Sequence, residues 1–434
     1  MIVIIGAGLA GLSTAYHLHS KDYLIFDPNG IVGGVCNTFY QDGFTFDGVG
    51  HVMHFKQPYT LELASKLLQG NLHKVRRKSS IYFDGAFVPY PFQMNLFRLP
   101  HDVKMECILG AIQARYERSR GDASNFAEWI LSSLGEGIAK HFMFPYNEKI
   151  WTVHPSEMTT SWLGGFVPEP DLKSILEGAI RDRENGLIGY NAEFWYPVRG
   201  GIQVYPEAIE PHVKNLYLQT PVERVDVRRR AVWAGGEWHP YTALVSTAPI
   251  VKLIGMIEDG PQEVVRAAAR LRANSVYSVL VGVDRPNISD QHWIYFPQKD
   301  LIFYRIGIPS NLSPYMAPEG TSSVCAEIAY RGSLGLSEHE LIDRTVADLR
   351  RAGVLHPEDR VLTARAVHFP IAYVLYDHHR DASLKVIMEF LRANGILSTG
   401  RYGGWEYSSM EDAVLEGKKA AESIHAGEAV LAPA

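Results

Sequence analysis

Five apolar residues, Met1 to Ile5, run directly into Gly6-Ala7-Gly8-Leu9-Ala10-Gly11 and then into a helix-compatible stretch ending near His19. This order reads as strand, tight turn and helix, with the glycines at fixed spacing for mechanical reasons. Gly6 makes the turn, Gly8 lets backbone approach a pyrophosphate, and Gly11 lets the helix lie close on the strand, so that the helix N-terminus faces an anion. A second apolar run, Tyr23–Phe26, ends at Asp27, where a carboxylate would hold a ribose hydroxyl. The strand–helix–strand order implies a parallel sheet, and the context makes a dinucleotide site the expected reading.

Three further segments favour FAD over NAD: Gly33-Gly34 just past the acid, the strand-like Ala243–Pro249, and Gly400-Arg401 near the C-terminus. A discontinuous nucleotide domain collects such pieces from distant parts of a chain. Arg401 would then offer its guanidinium to the FAD pyrophosphate.

The 434 residues are enough for two or three structural units at roughly 150 residues each. With 46% hydrophobic and 21% charged residues, the chain is too apolar to be disordered. Lys and Arg number 42 against 48 Asp and Glu, a formal charge of −6, so no overall positive field exists to draw in nucleic acid or an anionic membrane. No run approaches the ~20 apolar residues of a membrane span. The apolar start has no basic leader, so it is not read as a signal peptide. Three scattered cysteines, Cys36, Cys107 and Cys325, suit a reducing cytoplasmic setting.

The expected fold class is α/β: a discontinuous Rossmann-like FAD-binding domain, an inserted helical domain and a mixed or antiparallel β-sheet substrate domain. The expected boundaries are 1–93 for the first FAD-binding segment, 94–186 for the helical domain, and 187–250 for a further FAD-binding segment with sheet strands. The substrate sheet follows at 251–390, the last FAD-binding segment at 391–425, and a frayed tail at 426–434. In the helical part, Asn125 and Glu128 have capping-box spacing ahead of a face formed by Phe126, Trp129, Ile130 and Leu134. Strands are expected within Ala231–Trp238, Val276–Val283, Trp293–Phe296, Ile302–Gly307, Ser323–Ala329 and Gly395–Thr399, and a helix from about Glu411 to His425.

Several longer segments carry more information than the glycine turn. They are Gly43-Phe44-Thr45-Phe46-Asp47-Gly48-Val49-Gly50-His51, Val88-Pro89-Tyr90-Pro91-Phe92-Gln93, Phe142 through Trp151, Trp293-Ile294-Tyr295-Phe296-Pro297 through Tyr304-Arg305, and Arg401-Tyr402-Gly403-Gly404-Trp405-Glu406-Tyr407. In this order, across nearly the whole chain, the sequence resembles the UDP-galactopyranose mutases, its eukaryotic-type members in particular. The resemblance implies an FAD enzyme that interconverts pyranose and furanose forms of a nucleotide sugar, by default UDP-galactopyranose and UDP-galactofuranose. In that chemistry N5 of the reduced flavin attacks the anomeric carbon, the nucleoside diphosphate departs, and no net oxidation occurs. The protein then chiefly positions its ligands, and an external reductant, NADPH or a reductase, has to keep the flavin reduced. A homo-oligomer is left open.

The resemblance also implies roles for single residues. Gly50 and His51 would lie on the flavin, with His51 tuning or gating it, and Arg305 would grip the diphosphate. Tyr295, Tyr373 and Tyr407 would close around diphosphate and sugar, with Trp293 beside them. Tyr90, Phe92 and Gln93 would hold the uracil, while Met143, Asn147 and Trp151 would line the nucleotide and sugar from one helical face, as their i, i+4, i+8 spacing allows. Arg77, Ser79 and Asn191 match positions near flavin or substrate. A metal is not expected: His51 and His54 lack a further ligand group.

The sequence also departs from the family. Aligning Ser161 through Pro168 with the mobile loop that carries a second diphosphate-gripping arginine puts Phe166 at that place. The segment around Tyr373 differs from the eukaryotic pattern, and the turn after Tyr407 is shorter. These departures leave UDP-arabinopyranose, UDP-N-acetylgalactosamine and dTDP-fucose as further candidate substrates. An oxidase or desaturase of the amine-oxidase or protoporphyrinogen-oxidase type is the competing reading, since it shares this FAD-binding architecture. A flavin-binding protein without catalysis is a third.

Overall fold

The structure is a computed structural model that describes residues 1–20, 22–116, 123–164, 166–181 and 192–427. Asn191 and residues 428–434 of the expected tail therefore lie outside the described residues.

Five short parallel strands form the first sheet, in the order Ile396–Ser398, Ala243–Ser246, Ile2–Ile5, Tyr23–Phe26, Leu216–Tyr217. Val3, Ile4, Ile25, Leu244 and Val245 are fully buried, as befits strands covered on both faces. The first helix, Leu9–His17, lies so close to the first strand that a β-carbon on Gly11 would overlap the Gly6 carbonyl. The C-terminal helix, Met410–His425, packs on the first helix through a second glycine, because a β-carbon on Gly417 would overlap the Ala10 carbonyl. Ser13 Oγ donates to the Val414 carbonyl at 2.6 Å across the same contact. A capping box of Ser409 and Asp412 starts the C-terminal helix where the sequence pattern expects it.

A seven-stranded mixed sheet forms the second layer, in the order Val361–Phe369, Ser275–Val283, Ser322–Tyr330, Arg305–Gly307, Trp293–Tyr295, Ser79–Phe83, Ala86–Pro89. All its pairings are antiparallel except Trp293–Tyr295 with Ser79–Phe83. The last two strands come from within the span expected for the first nucleotide-binding segment, 1–93. Residues 231–238, expected as a contributor to the mixed sheet, fold instead into a separate three-stranded meander, Val222–Asp226, Ala231–Ala234 and Glu237–Pro240. Val361–Phe369 was not anticipated. It is an edge strand whose exposed Val361 and Leu362 at its start blur the alternation.

Between 94 and 181 the described residues form helices and turns. Asn125 accepts from the Glu128 N–H at 3.0 Å, while the Glu128 carboxylate answers the Ser124 N–H instead of that of Asn125, shifting the expected box by one residue. Phe126, Ile130 and Leu134 are fully buried. Ala139–Met143 runs as a π-turn into the helix Phe144–Trp151, whose second residue, Pro145, has no N–H to donate. Lys149 fastens this helix to the sheet: Nζ donates to the carbonyls of Gln298 (2.6 Å), Leu301 (2.9 Å) and Phe303 (2.6 Å), just ahead of Tyr304 and Arg305.

Gly11→Ala should destabilise the protein by about 1–3 kcal/mol in urea unfolding, because the new methyl has only backbone to displace. Gly255→Ala, in the helix Ile250–Met256 with nothing within 4 Å of a β-carbon, should be neutral or stabilising. Equal losses in the two variants would contradict the close-packing account.

Candidate active site

The nucleotide end of the site is built from the glycine turn. Gly6 has φ 102°, Gly33 φ 115° and Gly34 φ 61°, conformations that favour glycine. Gly8 bridges to Gly33, and a β-carbon on Gly8 would meet only Gly33 and Gly34 backbone at 3.9 Å. The first helix has no side-chain cap, so its leading N–H groups are available to an anion. Asp27 Oδ2 accepts the Ala7 N–H at 2.7 Å, and Oδ1 accepts the Asn29 N–H at 2.8 Å. The acid thus clamps the turn to the second strand and keeps lone pairs for a hydroxyl. Gly400, with φ 79°, packs beside Ala10 and Thr247 at the same end. His51 Nδ1, Asn37 Oδ1 and Ser79 Oγ are buried without a protein partner. A cradle of bare backbone beside unpaired buried polar atoms suits a bound dinucleotide such as FAD.

The other end centres on Glu327, which sequence reasoning missed. It lies opposite Arg305 in neighbouring antiparallel strands. Arg305 Nη2 donates to both carboxylate oxygens at 2.7 Å and Nε to Oε2 at 3.2 Å. The Gly50 N–H donates to Oε1 at 3.1 Å, and the Tyr304 hydroxyl donates to Oε2. Burial alone would raise this carboxyl, but Arg305, Tyr304 and the Gly50 N–H together hold it below the ordinary range. The available signal was a single acid inside the apolar strand Ser322–Tyr330.

His51 follows Gly50. Burial, with the nearby charge of Arg401, lowers its pKa to about 4, so the ring is neutral at neutral pH. Arg401 lies between the two ends: its charge is felt by Cys36, just past Gly33-Gly34, and by His51, and its guanidinium also meets the tyrosines. It lies 4.9 Å from the Tyr407 ring centre and 5.7 Å from that of Tyr373, with Nη1 donating to the Ser408 carbonyl at 2.7 Å. Tyr373 and Tyr407 stack at 6.0 Å, and the Tyr373 hydroxyl lies 3.3 Å from that of Tyr304. Burial pushes the Tyr373 hydroxyl up to about 12.

Arg77, Tyr90 and Tyr295 lie together: the Arg77 guanidinium is 4.7 Å from the centre of the Tyr90 ring, which meets Tyr295 at 5.2 Å. Trp293 Nε1 donates to the Tyr295 hydroxyl at 2.8 Å and supports it from behind. Two neighbours of Tyr90 differ from the expected uracil-holding role. Phe92 is fully buried and stacks on Phe142 at 5.0 Å, because the apolar helical core claims the ring. Gln93 is buried too, its amide donating to the Pro168 carbonyl at 2.8 Å.

Met143, Asn147 and Trp151 share one face, but Asn147 is engaged within it. Its Nδ2 donates to the Met143 carbonyl at 2.7 Å, and its Oδ1 accepts from Trp151 Nε1 at 3.2 Å. Trp151 meets the Tyr373 ring at 5.6 Å. Phe166 lies edge-on to Tyr407 at 4.8 Å, so the loop approaches the cleft with an aromatic ring instead of a cation.

Behind this cluster, Glu416 on the C-terminal helix faces Glu406. Burial, with a hydrogen bond and the charge of Glu406, raises its pKa from 4.5 to about 8. The folded state therefore keeps a proton that the unfolded chain releases above its ordinary pKa. This contribution to stability is full below about pH 4.5 and is lost as pH rises through about 8. Glu416→Gln should flatten the fall in Tm between about pH 5 and pH 8, and an unchanged slope would contradict the shared proton.

A family model described as flavin containing amine oxidoreductase matches residues 9–425. The crystal structure of a reduced UDP-galactopyranose mutase superposes with a TM-score of 0.93, covering 98% of this chain and 95% of that one at 28% identity. A putative protoporphyrinogen oxidase from Exiguobacterium shares the fold with a TM-score of 0.78 over 98% of both chains at 16% identity. In sequence, the coproporphyrinogen III oxidase of Staphylococcus aureus is 20% identical over 98% of both chains. The chain belongs to the flavin containing amine oxidoreductase family, and its cofactor is FAD.

Proposed function

We propose that this enzyme is a mutase that interconverts pyranose and furanose forms of a nucleotide sugar, with UDP-galactose the default substrate. One observation carries the reading: a partly buried arginine, Arg305, stands among Tyr295, Tyr373 and Tyr407, aromatic hydroxyls suited to a sugar diphosphate. The 28% identity to a UDP-galactopyranose mutase over nearly the full length supports it.

Reduced FAD supplies a nucleophilic flavin nitrogen for the anomeric carbon. Arg305 meets the diphosphate and stabilises the charge that gathers on it as the sugar bond breaks. Tyr373 and Tyr407 stand over the same region with hydroxyls that burial keeps protonated in the case of Tyr373, making it a hydrogen-bond donor. The Tyr295 hydroxyl oxygen already accepts a hydrogen bond from Trp293 Nε1, which leaves its own O–H to donate toward the ligand. Neutral His51 neither adds charge against Arg305 and Arg401 nor withdraws a proton from the sugar at neutral pH. Arg401, turned toward the tyrosines, adds positive potential beside the sugar. The three buried free cysteines fit a reducing cytoplasm, where NADPH or a reductase keeps the flavin reduced.

The family description and the coproporphyrinogen oxidase relatives favour a second reading, a flavin oxidase. The two differ in electron balance. With flavin reduced anaerobically by dithionite, the mutase converts UDP-galactofuranose to UDP-galactopyranose with no stoichiometric oxidant. Oxygen-dependent turnover of an amine or porphyrinogen, with no ring exchange for any nucleotide sugar, would favour the oxidase. Arg305→Ala should cost about 100-fold or more in turnover while the flavin absorbance stays intact.

Phe166 marks this site as different from one with two loop and sheet arginines. Phe166→Arg should tighten UDP binding about tenfold by adding a charge-assisted contact. Unchanged affinity for UDP and for every UDP-sugar would show that this loop does not reach the diphosphate.

A further inference from the structure

We propose that Glu327 is a positioning residue for this reaction, a single carboxylate that sets the orientation and net charge of Arg305 while tying the Gly50-His51 turn and the Tyr304–Tyr373 hydroxyl pair to it. The role rests on the nucleotide-sugar reading above.

Each of its contacts leads to a different part of the cleft. The bond from Arg305 joins it to the group facing the diphosphate, the Gly50 N–H to the flavin side, and the Tyr304 hydroxyl to the Tyr373 hydroxyl 3.3 Å further on. Arg305 uses Nε and Nη2 on the carboxylate, so Nη1 has no protein acceptor among the described residues and is the edge offered to an anion. The carboxylate is 2% exposed. An ion pair with its acid fully buried and its arginine 21% exposed is a poor device for stability alone, since an apolar pair of the same volume is often as good or better. Its value here is geometric: it holds a long, flexible side chain in one rotamer at the start of the central strand Arg305–Gly307, beside the tyrosines.

The charge has a consequence of opposite sign. Glu327 cancels the charge of Arg305 before a ligand arrives, so nucleotide binding is weaker than a bare guanidinium would allow. Removing that charge should tighten ground-state binding while loosening the geometry the reaction needs. A merely structural carboxylate would lower affinity and turnover together.

The test compares wild type, E327Q and E327D as FAD-loaded enzyme, with calorimetric binding of UDP and inorganic pyrophosphate and the steady-state kcat. E327Q keeps the shape and an acceptor for Gly50. It should bind UDP roughly tenfold tighter, as expected from removing one nearby charge, while kcat falls at least about tenfold. E327D keeps the charge but shortens the reach by one methylene, so affinity stays near wild type and kcat alone drops. Weaker or unchanged UDP binding in E327Q overturns the proposal, as does an E327D that loses affinity and turnover in proportion. If wild type binds neither UDP nor pyrophosphate, the nucleotide-sugar reading fails and takes this role with it. Binding in wild type without tightening in E327Q sinks the role alone.

Discussion

A buried carboxylate, Glu327, lies beside the guanidinium of the partly buried Arg305 where Arg305–Gly307 pairs with Ser322–Tyr330. Removing both from water costs several kcal/mol each unless the geometry compensates, and breaking such a pair leaves an uncompensated charge inside. The register that sets Arg305 opposite Glu327 is therefore fixed by electrostatics as well as by the apolar residues on either side. Much of the cleft follows from that register. Tyr295 pairs with Arg305 on the next strand, Tyr304 reaches the same carboxylate, and the loop before His51 is pinned by its backbone N–H. Lys149 holds the helical layer against the loop preceding Tyr304.

The nucleotide half was legible because its residues are dictated by local sterics. A glycine at position 11 is required by the Gly6 carbonyl, and an acid after the second strand is required by the turn it clamps. These requirements show up at short spacing along the chain. The substrate half depends on contacts between distant segments, and its legibility came from the family resemblance. That carried Arg77, Tyr90, Tyr295, Tyr373 and Tyr407 to one place, but it misdirected Phe92 and Gln93, whose surroundings are set by the packing of the helical layer. Arg401 follows Gly400 in a local motif, and its long side chain adds contacts with the tyrosine rings that the motif alone does not reveal. Glu327 went unseen because a single acid in a strand has no motif. Only the pairing partner across the sheet gives it meaning. The edge strand Val361–Phe369 escaped for a related reason: with one side unpaired, its pattern answers to solvent as much as to the core.

The family description and the proposed activity differ in kind. The family takes its description from amine oxidation, and relatives with the same fold include porphyrinogen oxidases. A shared fold delivers the flavin to the same place and leaves the chemistry to the side chains above it. An arginine among tyrosine hydroxyls suits an anionic ligand, the diphosphate of the proposed substrate as well as the propionates of a porphyrinogen, and not an uncharged apolar amine, so the electron balance of turnover has to separate the two readings. The aromatic Phe166 above Tyr407 is the feature by which this cleft departs most from a two-arginine grip on a diphosphate.

The account holds that the bond between the anomeric carbon and the nucleoside diphosphate opens and recloses in this cleft. Positional isotope exchange measures that event directly. UDP-galactose carrying oxygen-18 in the bridge between sugar and phosphorus should scramble its label into the non-bridging positions when incubated with the reduced enzyme, and should keep it in place with the oxidised one. A label that stays in the bridge under reducing conditions, for UDP-galactose and for each other nucleotide sugar tried, would contradict the account.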